Sequence, residues 1–132
     1  MAACTWDGSG GMDLRSIFWG EANQLDPAAE ERAERARHCQ LQGQLNELWK
    51  ATGLTDVEES AIDMRMDFTS FDDYWLPYLE GVGPTGVYVA ALSDDRRDAL
   101  RERLRGRVLG GRSDGAFSLA ARAWAVRGRV PS

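Results

Sequence analysis

The chain begins with a short apolar run, Met1 to Trp6, that stops at Asp7-Gly8-Ser9-Gly10-Gly11. A run of this length bounded by glycines predicts a buried strand meeting a loop. Leu14, Ile17, Phe18, Ala22 and Leu25 then recur at the spacing of an amphipathic helix, with Asp13 placed to cap its start. Pro27 begins a second helical piece, PAAEERAERAR, which is polar nearly all round and therefore expected as a solvent-exposed helix or a frayed connector. Leu41, Leu45, Leu48 and Trp49 share one face of a third helix, closed near Gly53.

From Thr55 to Phe68 the period changes. Ile62, Met64, Met66 and Phe68 alternate with Asp63, Arg65 and Asp67, which predicts a strand with one buried face. Ser70 opens another helix, with Asp73 three residues on in a variant of the capping box. Phe71, Tyr74, Trp75, Tyr78 and Leu79 form its aromatic stripe, and Pro77 shortens or kinks it. Gly81 to Gly86 reads as a loop, followed by a short apolar segment from Val87 to Leu92. Ser93 caps a helix carrying Leu100, Leu104 and Val108 on one side, ended by Gly110 and Gly111. Ala116 to Arg127 predicts a last strand, and the whole of 1–132 reads as one α/β unit.

Composition narrows the function classes. A length of 132 residues suits one modest domain, and a net charge of −5 argues against a nucleic-acid binder, which carries a basic footprint. No apolar run reaches the ~18 residues of a membrane helix, and no basic segment precedes an apolar one as in a secretory signal, so a cytoplasmic location is expected. Cys4, Cys39 and His38 are too few for a structural zinc site, so no metal is expected. Charge is segregated: Asp56 to Asp73 holds seven acids and one arginine, whereas Asp94 to Arg107 holds six arginines and four acids. Such faces are expected to be solvated or to pair with one another.

The strand, GSGG and helix layout is one in which backbone N–H groups can hold a cofactor's anionic group. The spacing Gly8-x-Gly10-x-x-Asp13 lacks the third glycine of that fingerprint, and the candidate ribose acids, Glu30 and Glu31, fall inside a charged helix. No GxSxG elbow, GK[ST] loop or HExxH pair is present. The aromatic stripe is the remaining candidate. Phe71 is expected in the core, while Tyr74, Trp75 and Tyr78, grouped with Trp6, Phe18 and Trp19, are candidates to line an apolar pocket for a small organic molecule.

Taken together, several segments resemble one family. AACTWD followed by GGMDLRSIFW is similar to the fifth strand and following helix of class I S-adenosylmethionine-dependent methyltransferases of the small-molecule branch. LNELWKATGLTDVEESAIDMRMDF resembles the next helix and sixth strand, and the segment from FTSFDDYW to RLRGRV resembles a helical insertion at about 70–110. GAFSLAARAWAVRGRV is similar to the seventh strand. The resemblance implies a partial Rossmann-like sheet of about three strands, five, six and seven, with flanking helices. It covers the C-terminal half of such an enzyme without the cofactor-binding strands one to four. S-adenosylmethionine is the family's cofactor, and none is expected to bind this chain alone. The resemblance places Trp6 and Asp7 near the reaction centre, with Tyr74, Trp75 and Tyr78 from the insertion closing over an apolar substrate; no catalytic base is assigned. In the family's sheet, strand five lies between strands four and seven, so Met1 to Trp6 is expected to expose an apolar edge through which the chain forms a homodimer. The alternative is a non-enzymatic dimeric module that binds a partner or a hydrophobic ligand.

Overall fold

A computed structural model describes residues 1–8, 11–35 and 40–132. The GSGG loop's Ser9 and Gly10, the end of the second helical piece, His38 and Cys39 lie outside the described residues. Three strands, β1 (Ala2–Trp6), β2 (Thr55–Phe68) and β3 (Phe117–Arg129), make one sheet in the order β1-β3-β2. Both β1 and β2 run antiparallel to β3, so they are parallel to each other. Parallel strands need a long crossover. Here three helices supply it: α1 (Asp13–Leu25), α2 (Ala29–Arg35) and α3 (Gln44–Ala51). The chain is thus mixed α/β, with helices flanking a small sheet.

Between β2 and β3 lie α4 (Phe71–Trp75), a 3-10 turn (Leu76–Glu80), α5 (Gly83–Ala91) and α6 (Asp94–Leu109). Pro77 accounts for the tightening of α4 into the 3-10 turn, since its ring cannot sit in a continuing α-helix. The Ser70 hydroxyl accepts from Asp73 N–H at 3.2 Å, and Asp73 reaches back to Thr69 N–H at 3.0 Å, one residue beyond the reciprocal partner of a standard box. The Ser93 hydroxyl accepts from Arg96 N–H at 3.4 Å, and Gly110 closes α6 in the left-handed conformation that glycine adopts without strain.

Several expectations are corrected. Gly83 to Gly86 is not loop but the first turn of α5, which Pro84 starts with its preset φ. The residue preceding α1 is Met12, not Asp13; Met12 offers no capping side chain, and Asp13 sits inside the first turn. α2 is not merely a surface helix: Ala29 and Ala33, one turn apart, are buried, a stripe too narrow to register among so many charges. β1 is a strand but not a buried one. It lies at the sheet's edge, and most of it is exposed.

The pairing register explains why burial on the sheet is uneven. Directly opposed residues share a face, so Trp6, Ala123 and Ile62 form one row, with Met64 and Ala121 next, then Met66 and Leu119, then Phe68 and Phe117. At the last of these rows the helices cover the face: Tyr74 packs edge-on against Phe68 and Phe117, with ring centroids 5.5 and 6.0 Å apart. The core continues through Phe18, Phe71, Val89, Leu100 and Leu104. At the other end nothing comparable covers it, and Trp6, Ile62 and Met64 remain 38%, 45% and 38% exposed. The expected buried face of β2 is therefore buried along only part of its length. On the reverse face Trp124 and Val126 are buried, and Trp49 of α3 lies against Gly128, where a Cβ would stand 3.4 Å from its ring.

The segregated acids pair mainly across the sheet. Glu58 meets Arg127 at 2.6 Å and Asp63 meets Arg122 at 2.7 Å, both directly opposed, while Asp56 and Arg129 stand 3.7 Å apart. Asp72 to Arg101, at 3.6 Å, is a link from the acidic segment to α6. No helix among the described residues is long and apolar enough to cross a membrane.

Candidate functional site

The C-terminal end of β1 is held by one carboxylate. Asp7, 1% exposed, continues the β1–β3 pairing by donating its N–H to Arg122 carbonyl oxygen at 2.8 Å. Its side chain accepts from Trp124 Nε1 at 3.1 Å and from Gly11 N–H at 3.0 Å, and Arg122 Nη1 stands 3.8 Å away. A Cβ at Gly11 would fall 2.4 Å from this carboxylate, so the close approach requires glycine there. Gly8 N–H donates to Gln40 carbonyl oxygen at 2.8 Å, joining the loop to the segment before α3. Asp7 is the anchor of this loop.

Of the residues between β1 and α1, the described Gly8 and Gly11 have both backbone N–H groups engaged within the chain. Gly11 N–H is bonded to the buried Asp7 carboxylate, and Gly8 N–H to the Gln40 carbonyl oxygen. No group of three or more metal-ligating side chains occurs among the described residues.

The aromatic candidates divide by burial. Phe18, Trp19, Tyr74 and Trp75 are buried in the core, Tyr78 is half-buried beside them, and Trp6 lies apart on the uncovered end of the sheet. Phe18 and Tyr78 approach to 4.7 Å between ring centroids, Tyr78 and Tyr74 to 5.3 Å, and Phe18 and Trp19 to 5.1 Å. The seven predicted residues therefore fall into two groups, Trp6 with Asp7 at the end of β1 and the five others in or against the helical core, where Trp75 stacks on Phe71 at 6.3 Å.

Arg15, one turn ahead of Phe18 on α1, joins the second group. Its guanidinium donates to the Gln40 side chain, and burial lowers its pKa, an effect that the Tyr78 phenol opposes. It forms no ion pair among the described residues. Burial pushes the Tyr78 hydroxyl up to about 12 and raises that of Tyr74 further. The Tyr74 hydroxyl is buried, with the Tyr78 hydroxyl as its polar neighbour. Sequence reasoning passed over Arg15, yet the signal is present: an arginine three and four residues before Phe18 and Trp19 shares their helix face.

Two depressions bear on ligand size. One, of about 70 Å³, lies between α1, α5 and α6 at Asp26, Tyr88 and Arg96, too small for an organic substrate. Tyr88 donates to Asp26 there at 3.1 Å. The other, an open groove of about 590 Å³, crosses the sheet past Ala2, Cys4, Ala125 and Ser60, ending at Glu58 and Arg127. No model of a known protein family matches this chain, and no curated protein matches it.

Proposed function

We propose that the chain forms the substrate-side half of a class I S-adenosylmethionine-dependent methyltransferase acting on a small organic molecule. The observation that carries this reading is the sheet. β1 and β2 run parallel, joined by a helical crossover of the Rossmann-like kind, and β3, last in sequence, lies beside β1 as strand seven lies beside strand five in that family. The outer edge of β1 is then the seat of strand four. S-adenosylmethionine would supply the methyl group. The residues of this chain contribute an aromatic wall, from Phe18 to Tyr78, that orients a substrate and excludes water.

Complementation tests the reading. Strands one to four of a class I methyltransferase, co-expressed with this chain, are expected to form a soluble complex that binds S-adenosylmethionine in calorimetric titration. Two folded halves that remain apart overturn it.

A specific feature favours a second reading, a homodimeric module. β1 carries no charge along its unpaired edge, whereas the edge of β2 carries Asp56, Glu58, Glu59, Asp63 and Asp67 and an irregular register between Thr55 and Glu58. Charges and bulges guard an edge against pairing, and β1 has neither. Two copies pairing antiparallel about Cys4 would set Ala3 against Thr5 and run the groove of small residues into its partner's. This use of the β1 edge competes with strand four, so the same co-expression, read by sedimentation, separates the two.

A further inference from the structure

The depression of about 70 Å³ between α1, α5 and α6 is too small for a whole organic substrate, yet it joins an apolar interior to a charged mouth. Ala22, Leu92, Ala99 and Leu100 line it, and Ala22 and Leu100 are buried in the core. One water fills about 10–15 Å³ of such space, so roughly five water-sized groups fit, the size of a short alkyl chain. At the mouth the buried Tyr88 donates its O–H to Asp26 at 3.1 Å. Arg96 lines the mouth from α6, and the Arg32 guanidinium of α2 stands 5.6 Å from the centre of the Tyr88 ring. Neither arginine forms an ion pair among the described residues, whereas Arg97 and Arg103 on α6 are held by Asp94 and Glu21. Asp26, Arg32 and Arg96 are the charged groups that act on the Tyr88 hydroxyl. Two positive charges against one negative leave one positive charge over.

We propose that this depression binds a short-chain aliphatic carboxylate, its alkyl end between α1, α5 and α6 and its carboxylate between Arg32 and Arg96. The ligand charge balances the excess at the mouth, and its two oxygens match a guanidinium fork. Asp26 is engaged by the Tyr88 O–H, which leaves the arginines to the ligand. Each CH₂ drawn out of water against the apolar walls raises affinity by up to about fourfold, until the chain outgrows the space. A neutral amide of the same shape keeps the apolar gain and loses the charged one. The site needs neither a cofactor nor a second chain, so it is independent of both readings of the sheet.

The test is titration of the isotope-labelled 132-residue chain with acetate, butyrate, octanoate and butyramide, read by the NMR shifts of Ala22, Leu92 and Ala99. Butyrate is expected to saturate one site with an affinity about fivefold or more above that of butyramide, a preference that shrinks as salt rises. Acetate, two CH₂ groups shorter, is expected to bind about tenfold more weakly, and octanoate to gain nothing further at these residues. Arg96→Gln is expected to remove most of the preference for butyrate. Ala99→Leu, which fills the depression, is expected to abolish binding of butyrate and butyramide alike. Equal affinities for the two, no saturation by butyrate, shifts gathered elsewhere on the chain, or an Ala99→Leu variant with unchanged affinity overturn the proposal. Should Ala99→Leu fail to fold, Arg96→Gln, which breaks no ion pair, decides the question: undiminished preference for butyrate overturns it.

Discussion

The Trp124 indole N–H donates to the Asp7 carboxylate over 3.1 Å, tying the middle of the last strand to the loop that leaves the first, 117 residues earlier. The same carboxylate holds Gly11 N–H, and Arg122 approaches it from the neighbouring position on β3. One buried acid thus sets the path from β1 into α1, and through α1 the position of Arg15 and Phe18.

Replacing Asp7 by alanine leaves the Trp124 and Gly11 N–H groups without this acceptor in a buried setting. The expected loss is about 1–3 kcal/mol for each donor left unsatisfied, read as a lower denaturant midpoint. Asp7→Asn, which keeps one acceptor oxygen, is expected to lose less. Equal midpoints for wild type and Asp7→Ala would contradict the anchoring role.

Two helical glycines are expected to respond with opposite sign to alanine. A Cβ on Gly86 in α5 would sit 2.9 Å from the Gly81 backbone, which cannot rotate aside, so Gly86→Ala is expected to cost about 1–3 kcal/mol. Gly106 in α6 has nothing within 4 Å of such a Cβ, and Gly106→Ala is expected to stabilise by about 0.5–1 kcal/mol through helix propensity. Thermal melts of both variants check the contrast.

All three tyrosines, Tyr74, Tyr78 and Tyr88, have raised pKa values, Tyr78 and Tyr88 at about 12. Burial is the main cause in each, aided at Tyr88 by the neighbouring Asp26 carboxylate. The unfolded chain loses these protons first, near the ordinary value of about 10. Their contribution to stability is therefore complete below pH ~10 and lost as pH rises from there through about 12. Spectrophotometric titration is expected to show little tyrosinate absorbance at pH ~10.5 in the folded chain and about three-quarters of the full absorbance at that pH in denaturant. A folded protein giving half its tyrosinate signal at pH ~10 would refute this.

The dimeric reading makes a covalent prediction. Antiparallel β1 pairing centred on the exposed Cys4 sets it opposite its counterpart, so mild oxidation of a Cys39→Ser variant is expected to give a disulfide-linked dimer. Ala3→Lys, placing charge on the bare edge, is expected to sediment as a monomer. A wild-type chain that sediments as a monomer at every concentration removes this reading.

Local signals were legible where a residue's own chemistry decides the backbone. Alternation from Thr55 to Phe68 coincides with β2, Ser93 and Gly110 bound α6, and Pro77 marks the change from α4 to the 3-10 turn. The candidate site was legible only as a list of aromatics. That Trp6 faces an uncovered end of the sheet while Phe18 and Tyr78 meet in the helical layer depends on which elements pack on which rows, and no periodicity encodes it. Arg15 was missed for the same reason: its isolation is a fact about where the carboxylates of other segments end up.

By itself, then, the sequence determined the elements, because capping hydroxyls, glycines, proline and apolar spacing act over a few residues. Tertiary structure decided that β3 inserts between β1 and β2, that the acids of β2 find arginines on β3, and that Asp7 is buried under Trp124. These outcomes join residues far apart in the chain, 59 positions for Asp63 and Arg122 and 117 for Asp7 and Trp124, and their partners are chosen by packing and charge once the sheet has formed.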